Sequence, residues 1–178
     1  MEDVPVTHYL EHLVIAIIKF FLLTIALPLI PVFIFNLSIP AVLTLMTSTF
    51  LIEYGAAPIG IGLGLSPLFV IYVLICIATG VILFLFDIFD TFGEHSEKVS
   101  NFLKKSSERA KESKVLSKYG MYGLIPCVMI LGFYVCPPIV WVFGWRRDFS
   151  ILTIMTGYIT ISIITALFSM GIIVLLFR

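Results

Sequence analysis

Glu53 is the residue whose type and position most directly suggest chemistry. It is the only charged residue between Phe20 and Phe86. An ionisable side chain inside a membrane is costly, so it usually faces a pathway, a cavity or a partner rather than lipid. We therefore expect Glu53 to bind a proton, a cation or a cationic group of a substrate. A plainer alternative stays open, namely a hydrated carboxylate at the membrane surface.

A second candidate site is the run Arg146-Arg147-Asp148. Arginine binds phosphate and carboxylate groups through paired hydrogen bonds, so these residues could hold an anionic headgroup. The plainer alternative is membrane anchoring, because basic residues concentrate on the cytoplasmic side. The neighbouring Trp141 and Trp145 are typical of the membrane interface. Both interpretations stay open at this stage.

The chain carries one pattern typical of zinc enzymes, His8-Tyr9-Leu10-Glu11-His12, which matches H-x-x-E-H. A catalytic zinc site needs a third protein ligand and a water-filled cleft, and the N-terminal tail offers neither. The sequence contains no Gly-x-Ser-x-Gly, P-loop or paired-carboxylate motif. We therefore expect a protein that is not an enzyme and that binds no metal or cofactor.

The composition is that of an integral membrane protein. The chain has 178 residues, of which 60% are hydrophobic and 12% are charged, and its mean hydropathy is +1.13. Soluble domains contain about 45–50% apolar and about 25% charged residues. The formal net charge is zero, so nothing favours a nucleic acid as partner. The length suits a single membrane domain.

The lengths of the uncharged runs suggest segments that enter the membrane without crossing it. One crossing needs about 20 residues. The runs Phe20–Ile52 and Tyr54–Phe86 have 33 residues each, which is too long for one crossing and too short for two. One full span plus one half-membrane segment fits each run better. Two further uncharged runs cover Tyr119–Trp145 and Phe149–Phe177.

Glycine and proline locate the half-membrane segments, because they let a chain break and turn within a membrane. The first predicted hairpin turns around Gly55–Pro58, and the second has its tip near Cys136–Pro138. The predicted hairpin-forming residues are Gly55, Pro58, Gly60, Gly62, Gly64, Gly120, Pro137 and Pro138. Gly60 and Gly64 also fit small-xxx-small helix packing, which is their plainer role.

The predicted fold is all-α and integral to the membrane, with about three full transmembrane helices and two re-entrant helical hairpins of opposite orientation. Such an inverted repeat places substrate sites where the hairpins meet. The predicted order is a tail (1–12), a first span (13–36), a first hairpin (43–65), a second span (66–87), a connector (88–118), a second hairpin (119–145) and a third span (149–177).

The connector holds most of the basic residues, and these predict the orientation of the protein in the membrane. Apolar and small residues at helical spacing predict a helix on the membrane surface, and a solvated connector helix is an equal alternative. These residues are Val99, Phe102, Leu103, Ser106 and Ala110. Basic clusters mark the cytoplasmic side, so the N-terminus and the connector should be cytoplasmic and the C-terminus outside. Asp87 is interpreted as a boundary residue of the second span.

The run Gly55-Ala56-Ala57-Pro58-Ile59-Gly60, followed by Gly62, Gly64 and Ser66-Pro67, resembles the first motif of the small multidrug export proteins. That family in turn resembles the DedA (VTT-domain) superfamily of membrane transporters and lipid scramblases. Lys118-Tyr119-Gly120 and Pro137-Pro138 match the second half more loosely. The resemblance covers the chain from Thr47 to Met170 in order and spacing. It departs at Glu53-Tyr54, since the commoner form has a basic residue before Gly-Ala and the acid one place earlier.

The resemblance implies paired re-entrant hairpins and a role in transport or lipid movement, in the cell membrane of an archaeon or bacterium. The first predicted function is a DedA-like transporter or scramblase that moves an amphipathic anion, such as a phospholipid or polyprenyl phosphate. Arg146 or Arg147 would hold the phosphate, and Glu53 would couple to protons or gate the hairpin.

Two alternatives to this function stay open. One is a proton-coupled exporter of small cationic compounds, which would depend on Glu53 alone. The other is a membrane scaffold that transports nothing and recruits a partner through the helix Glu94–Lys118. The expected partners are membrane lipids and a coupling proton or cation, and the sequence leaves a homo-oligomer open.

Overall fold

The computed structural model describes residues 6–93 and 120–176, and these residues form helices and short turns without a strand. The predicted all-α class is therefore confirmed for this part of the chain. The predicted surface helix of the connector, with Val99, Phe102, Leu103, Ser106 and Ala110, lies outside the described residues. Within the described residues, four segments are long and apolar enough to cross a membrane, namely Glu11–Ile34, Ile39–Gly62, Pro67–Thr91 and Arg147–Gly171. The chain is a multi-pass membrane protein.

The first crossing is made of α1 (Val6–Phe21), a π-helical segment (Leu22–Ala26) and α2 (Leu27–Ile34). Pro31 lies inside α2 and has no N–H to donate to the carbonyl of Leu27. The hydroxyl of Tyr72 donates to that carbonyl instead, at 2.9 Å. The proline therefore leaves no unsatisfied carbonyl in apolar surroundings, where such a group would be costly.

The second apolar segment is interrupted and folds back on itself. It consists of α3 (Ile39–Ile52), a 3₁₀ turn (Glu53–Ala56) and α4 (Ala57–Gly62). A straight helix would separate Leu45 from Gly60 by roughly 22 Å. In the structure a Cβ atom at Gly60 would lie only 3.0 Å from Leu45 Cδ1. The chain reverses at the 3₁₀ turn Glu53–Ala56. This turn begins two residues before the one that the sequence predicts at Gly55–Pro58 and overlaps it.

The two ends of this segment emerge on the same side of the helix bundle. One apolar groove is lined both by the residues before α3 and by those after α4. Its lining residues are Pro31, Phe35, Leu37, Ser66, Leu68, Phe69 and Tyr72. By length and composition Ile39–Gly62 is a candidate membrane span, and the residues that flank its two ends line the same groove.

Helix α5 (Pro67–Gly93) is the centre of the bundle. Its buried face consists of apolar residues along most of the helix, namely Val70, Val73, Leu74, Ile77, Ala78, Val81, Ile82 and Phe86. Pro67 begins the helix as the sequence predicts, since proline is tolerated in a first turn. The helix continues to Gly93, six residues beyond the predicted end of the span at 87.

A second interrupted segment follows residues 94–119. A 3₁₀ turn (Gly120–Gly123) leads into α6 (Leu124–Leu131), and α7 (Cys136–Phe143) follows after a break. The thiols of Cys127 and Cys136 are neighbours although they are nine positions apart in the sequence, so the chain turns between them. The break at residues 132–135 directly precedes the predicted tip, because Pro137 and Pro138 fit the first turn of α7.

Helix α8 (Arg147–Leu176) runs antiparallel to α5. Arg147 reaches Asp87 and Asp90 near the end of α5, whereas Thr79, earlier in α5, contacts Met155. We call this region, with Lys19, Asp87, Asp90 and Arg147, the charged end of the bundle. Phe89 packs against Trp141 with ring centroids 6.5 Å apart, so α7 also returns to the charged end. The groove beside the first interrupted segment lies at the opposite, uncharged end.

Candidate functional site

The two interrupted segments touch each other at their breaks. We call residues 50–56 the first tip and residues 129–135 the second tip. The hydroxyl of Tyr54 donates to the carbonyl of Met129 at 2.9 Å, and the hydroxyl of Tyr134 donates to the carbonyl of Phe50 at 2.9 Å. Both carbonyls lie in the last turn of a helix, where the intrahelical donor is missing. Each tip therefore completes the backbone hydrogen bonding of the other.

Glu53 forms the third link between the tips. Its Oε2 accepts a hydrogen bond from the backbone N–H of Phe133 at 2.9 Å, and the N–H of Tyr134 also donates to the carboxylate. These donors precede α7, where backbone N–H groups have no helical acceptor. The positive end of the helix dipole adds to the attraction. The carboxylate of the first tip thus occupies an anion-binding position on the second tip.

The backbone of Glu53 is strained. Its φ of 53° with ψ of −125° lies in a region that residues other than glycine rarely adopt. Such a conformation costs on the order of 1–3 kcal/mol and is concentrated at functional sites. A glycine would relieve this strain, but it would remove the carboxylate. The presence of glutamate here therefore points to a use for the carboxylate itself.

Gly132 allows the carboxylate to approach. Its φ is +83°, which favours glycine, and a Cβ atom at this position would collide with the carboxylate of Glu53. Among the predicted hairpin-forming glycines, Gly60 packs closely, since a Cβ atom there would lie 2.8 Å from Val70. Gly64 has a φ of +83° and open space around it, so it serves the turn rather than the predicted packing. Gly62 and Gly120 also face open space.

Two buried hydroxyl groups on α8 lie beside the tips. Tyr158 and Ser162 are both 0% exposed, and neither hydroxyl oxygen has a hydrogen bond of good geometry within the described residues. The ring of Tyr158 packs edge-on against Phe133 at 5.1 Å, and its hydroxyl interacts electrostatically with Glu53. Tyr158 lies eleven positions, or roughly 16 Å, along α8 from Arg147. Tyr158 therefore lies near the middle of the candidate span Arg147–Gly171.

An open groove leads to Glu53 from the outside of the bundle. It has a volume of about 220 Å³ and is lined by Leu51, Ile52, Glu53, Tyr54, Ile130, Leu131 and Gly132. Leu51 and Ile130 are 78% and 77% exposed, which is typical of lipid-facing side chains in a membrane protein. The groove therefore opens onto the outer surface of the described bundle beside the carboxylate.

The predicted arginine site lies elsewhere. Arg147 donates to Asp87 at 2.6 Å and to Asp90 at 2.7 Å, and it lies over the ring of Phe86 at 5.5 Å. Its charge is thus matched by two aspartates, and Asp87 is more than the boundary residue that the sequence suggests. Asp87 also has a second basic neighbour, because Lys19 Nζ lies 4.0 Å from its Oδ2.

The other two predicted residues of this group are at the surface. Arg146 is exposed and lies over the ring of Phe149 at 5.2 Å, and Asp148 is exposed as well. Because Glu53 lies near Tyr158, roughly three helical turns away from Arg147, the structure does not bring the arginines and Glu53 into one site.

The residues that complete the site were not singled out from the sequence. They are Gly132, Phe133, Tyr134, Tyr158 and Ser162. One signal was present, because the buried polar residues of α8 recur at near-helical intervals and so share a face. These residues are Ser150, Tyr158, Ser162 and Ser169.

A protein-family comparison identifies the family of the chain. The family model described as "Putative small multi-drug export protein" matches residues 53–164. The chain belongs to this family. The matched region begins at Glu53 and contains the second tip, α5 and more than half of α8, so it includes most of the site. No curated protein and no solved structure matches the chain.

Replacing Gly132 by alanine should destabilise this export-family protein by about 2–5 kcal/mol, because the new Cβ both strains the backbone and collides with Glu53. The free energy of unfolding can be measured by reversible unfolding in mixed micelles. Gly62→Ala is the matched control, since a Cβ there meets open space, and it should change stability by less than about 0.5 kcal/mol.

Combining Gly132→Ala with Glu53→Ala separates the effect of backbone strain from that of the collision with the carboxylate. The loss due to Gly132→Ala should be smaller by at least about 1 kcal/mol in the Glu53→Ala background, because only the backbone strain is left. An equal loss in both backgrounds would show that the carboxylate does not lie against Gly132.

Proposed function

We propose that this chain is a proton-coupled exporter of small lipophilic cations, with Glu53 as the residue that binds both the proton and the cation. One observation carries this proposal. The sole charge between Phe20 and Phe86 lies where the two tips meet, and it borders a groove open to the lipid. Membership of an export family supports a transported small molecule. The cationic nature of the substrate and the coupling of its export to protons are our proposal.

The exchange follows from the chemistry of a single carboxylate. A carboxylate can hold a proton or pair with a cation, and each excludes the other. It is also a strong hydrogen-bond acceptor only while charged, since charge-assisted bonds are roughly twice as strong as neutral ones. Protonation of Glu53 would weaken its bonds to Phe133 and Tyr134 and so loosen the tips. The occupancy of the site would thereby control the contact between the two segments.

We also propose that the two interrupted segments are re-entrant hairpins of opposite orientation, related as an inverted repeat. The first segment returns to the uncharged end, and α7 brings the second back to the charged end. The reciprocal bonds of Tyr54 and Tyr134 support a two-fold relation between the tips. The charged end would be cytoplasmic, because Arg146 and Arg147 lie there and basic residues concentrate on the cytoplasmic side.

This topology predicts the labelling of two exposed serines. With the three native cysteines replaced by alanine, Ser38→Cys and Ser66→Cys should both react with a membrane-impermeant maleimide added to intact cells. Asp148→Cys should react only after permeabilisation. A straight span over Ile39–Gly62 would place residues 38 and 66 on opposite sides, so labelling of only one of them would contradict the hairpin.

Transport is tested by efflux of ethidium from proteoliposomes under an imposed pH gradient. Glu53→Gln should reduce efflux by about tenfold or more, because hydrogen bonds and ion pairs to a charged group contribute about 1.5–3 kcal/mol. Glu11→Gln, at an exposed position of α1, is the matched control and should leave efflux unchanged. Equal efflux in Glu53→Gln and the original chain would overturn the proposal.

A second candidate function is the movement of an amphipathic anion, such as a phospholipid or polyprenyl phosphate, by a DedA-like mechanism. One observation favours it, because the N–H groups of Phe133 and Tyr134 already bind a carboxylate and could bind a phosphate. The pairing of Arg147 with two aspartates weighs against it. Dithionite bleaching of a fluorescent phospholipid beyond one half, reduced by Arg146→Ala, would favour this candidate over cation export.

A further inference from the structure

The hydroxyl pair of Tyr158 and Ser162 has no role in the exchange described above. Tyr158 differs from three other tyrosines of the bundle, since Tyr54, Tyr72 and Tyr134 each donate to a backbone carbonyl at 2.9 Å. Its hydroxyl and that of Ser162 are fully buried and have only each other as partner among the described residues, so at least one of the two O–H donors lacks an acceptor. A buried polar group left unsatisfied costs about 1–3 kcal/mol. A purely structural position would be filled better by phenylalanine or alanine.

The pair is placed between Glu53 and the uncharged end. Tyr158 and Ser162 are four positions apart and lie on one face of α8. Because α8 starts at the charged end, Ser162 lies about 6 Å closer to the uncharged end than Tyr158 does. Beyond it, Ala166 and Ser169 continue the buried face toward that end.

We propose that Tyr158 and Ser162 form a relay, completed by bound water, that carries the coupling proton between Glu53 and the uncharged end. The inference rests on the proposed function, because it supplies the proton path that Glu53 would need. Hydroxyl groups suit this role, since each can donate and accept a hydrogen bond at the same time.

The proton balance of the relay is simple. A proton enters on the oxygen of Ser162 while the hydrogen already there passes through water to Tyr158. The hydroxyl hydrogen of Tyr158 passes to the carboxylate of Glu53. Each hydroxyl loses one hydrogen and gains one, so a single proton moves and neither side chain is left charged.

The surroundings of Glu53 suit such a transfer. Among the described residues, the titratable side chains that interact with its charge are Tyr134 on the second tip, Cys136 at the start of α7 and Tyr158 on α8. Tyr54, on the first tip, also interacts with Tyr158. None of these four side chains is basic, so none would hold Glu53 permanently in an ion pair. Tyr158 is the member of this group that leads toward Ser162.

The test measures proton entry and cation binding separately in the full-length protein. Proton flux is followed with pyranine inside proteoliposomes, and ethidium affinity is followed by its fluorescence with detergent-solubilised protein. Tyr158→Phe and Ser162→Ala should each lower the ethidium-coupled proton flux by about 10- to 100-fold, given the usual contribution of a positioned proton-transfer group. The Kd for ethidium should change by less than about twofold in each.

Two further variants distinguish a relay from a structural role. Ser162→Thr keeps a hydroxyl and should retain the flux. Thr156→Val removes an exposed hydroxyl from another face of α8 and should also retain it. Unchanged flux in Tyr158→Phe and Ser162→Ala would overturn the relay. A parallel loss of flux and ethidium affinity would also overturn it, in favour of a role in cation binding or packing.

Failure of the relay and failure of the proposed function are distinguishable. Loss of efflux in Glu53→Gln together with normal proton flux in Tyr158→Phe would reject the relay alone. Normal efflux in Glu53→Gln would reject the exchange itself, and the relay with it.

Discussion

The structure depends on the need to satisfy backbone hydrogen bonds within an apolar layer. A helix that breaks inside a membrane leaves N–H and carbonyl groups that lipid cannot bind, at a cost of several kcal/mol each. In this protein each broken segment supplies partners for the other. Tyr54 and Tyr134 bind the orphan carbonyls of Met129 and Phe50, and Glu53 binds the N–H of Phe133. The two tips therefore stabilise each other, and their meeting point fixes the position of the site.

This arrangement links the fold to the proposed exchange. Glu53 is a structural partner of the second tip and also the one charged side chain that the described residues bring to the tips. Binding of a proton or a cation there would change an interaction that holds the tips together. At the charged end, far from the tips, Arg147 joins α8 to Asp87 and Asp90 of α5 and so holds these two helices together. Movement would thus be expected at the tips rather than between the long helices.

The sequence predicted the all-α membrane class, the family and the approximate breaks, since these follow from local hydropathy, glycine and proline. It could not predict the partners of Glu53, because the bonds between the tips join residues 75 to 84 positions apart. Tyr134 and Tyr158 looked like ordinary aromatic residues of apolar runs. Arg147 looked free to bind an anion, because the aspartates that match its charge lie 57 and 60 positions away.

The reciprocal contact between the tips is the central claim, and a double-mutant cycle of Tyr54→Phe and Tyr134→Phe tests it most directly. Unfolding free energies would be measured for both single variants and for the double variant. Each single change should cost about 1–3 kcal/mol, and the two should be coupled by at least about 0.5 kcal/mol because they act on one interface. Single changes that cost nothing, or costs that simply add, would contradict a contact in which each tip completes the other.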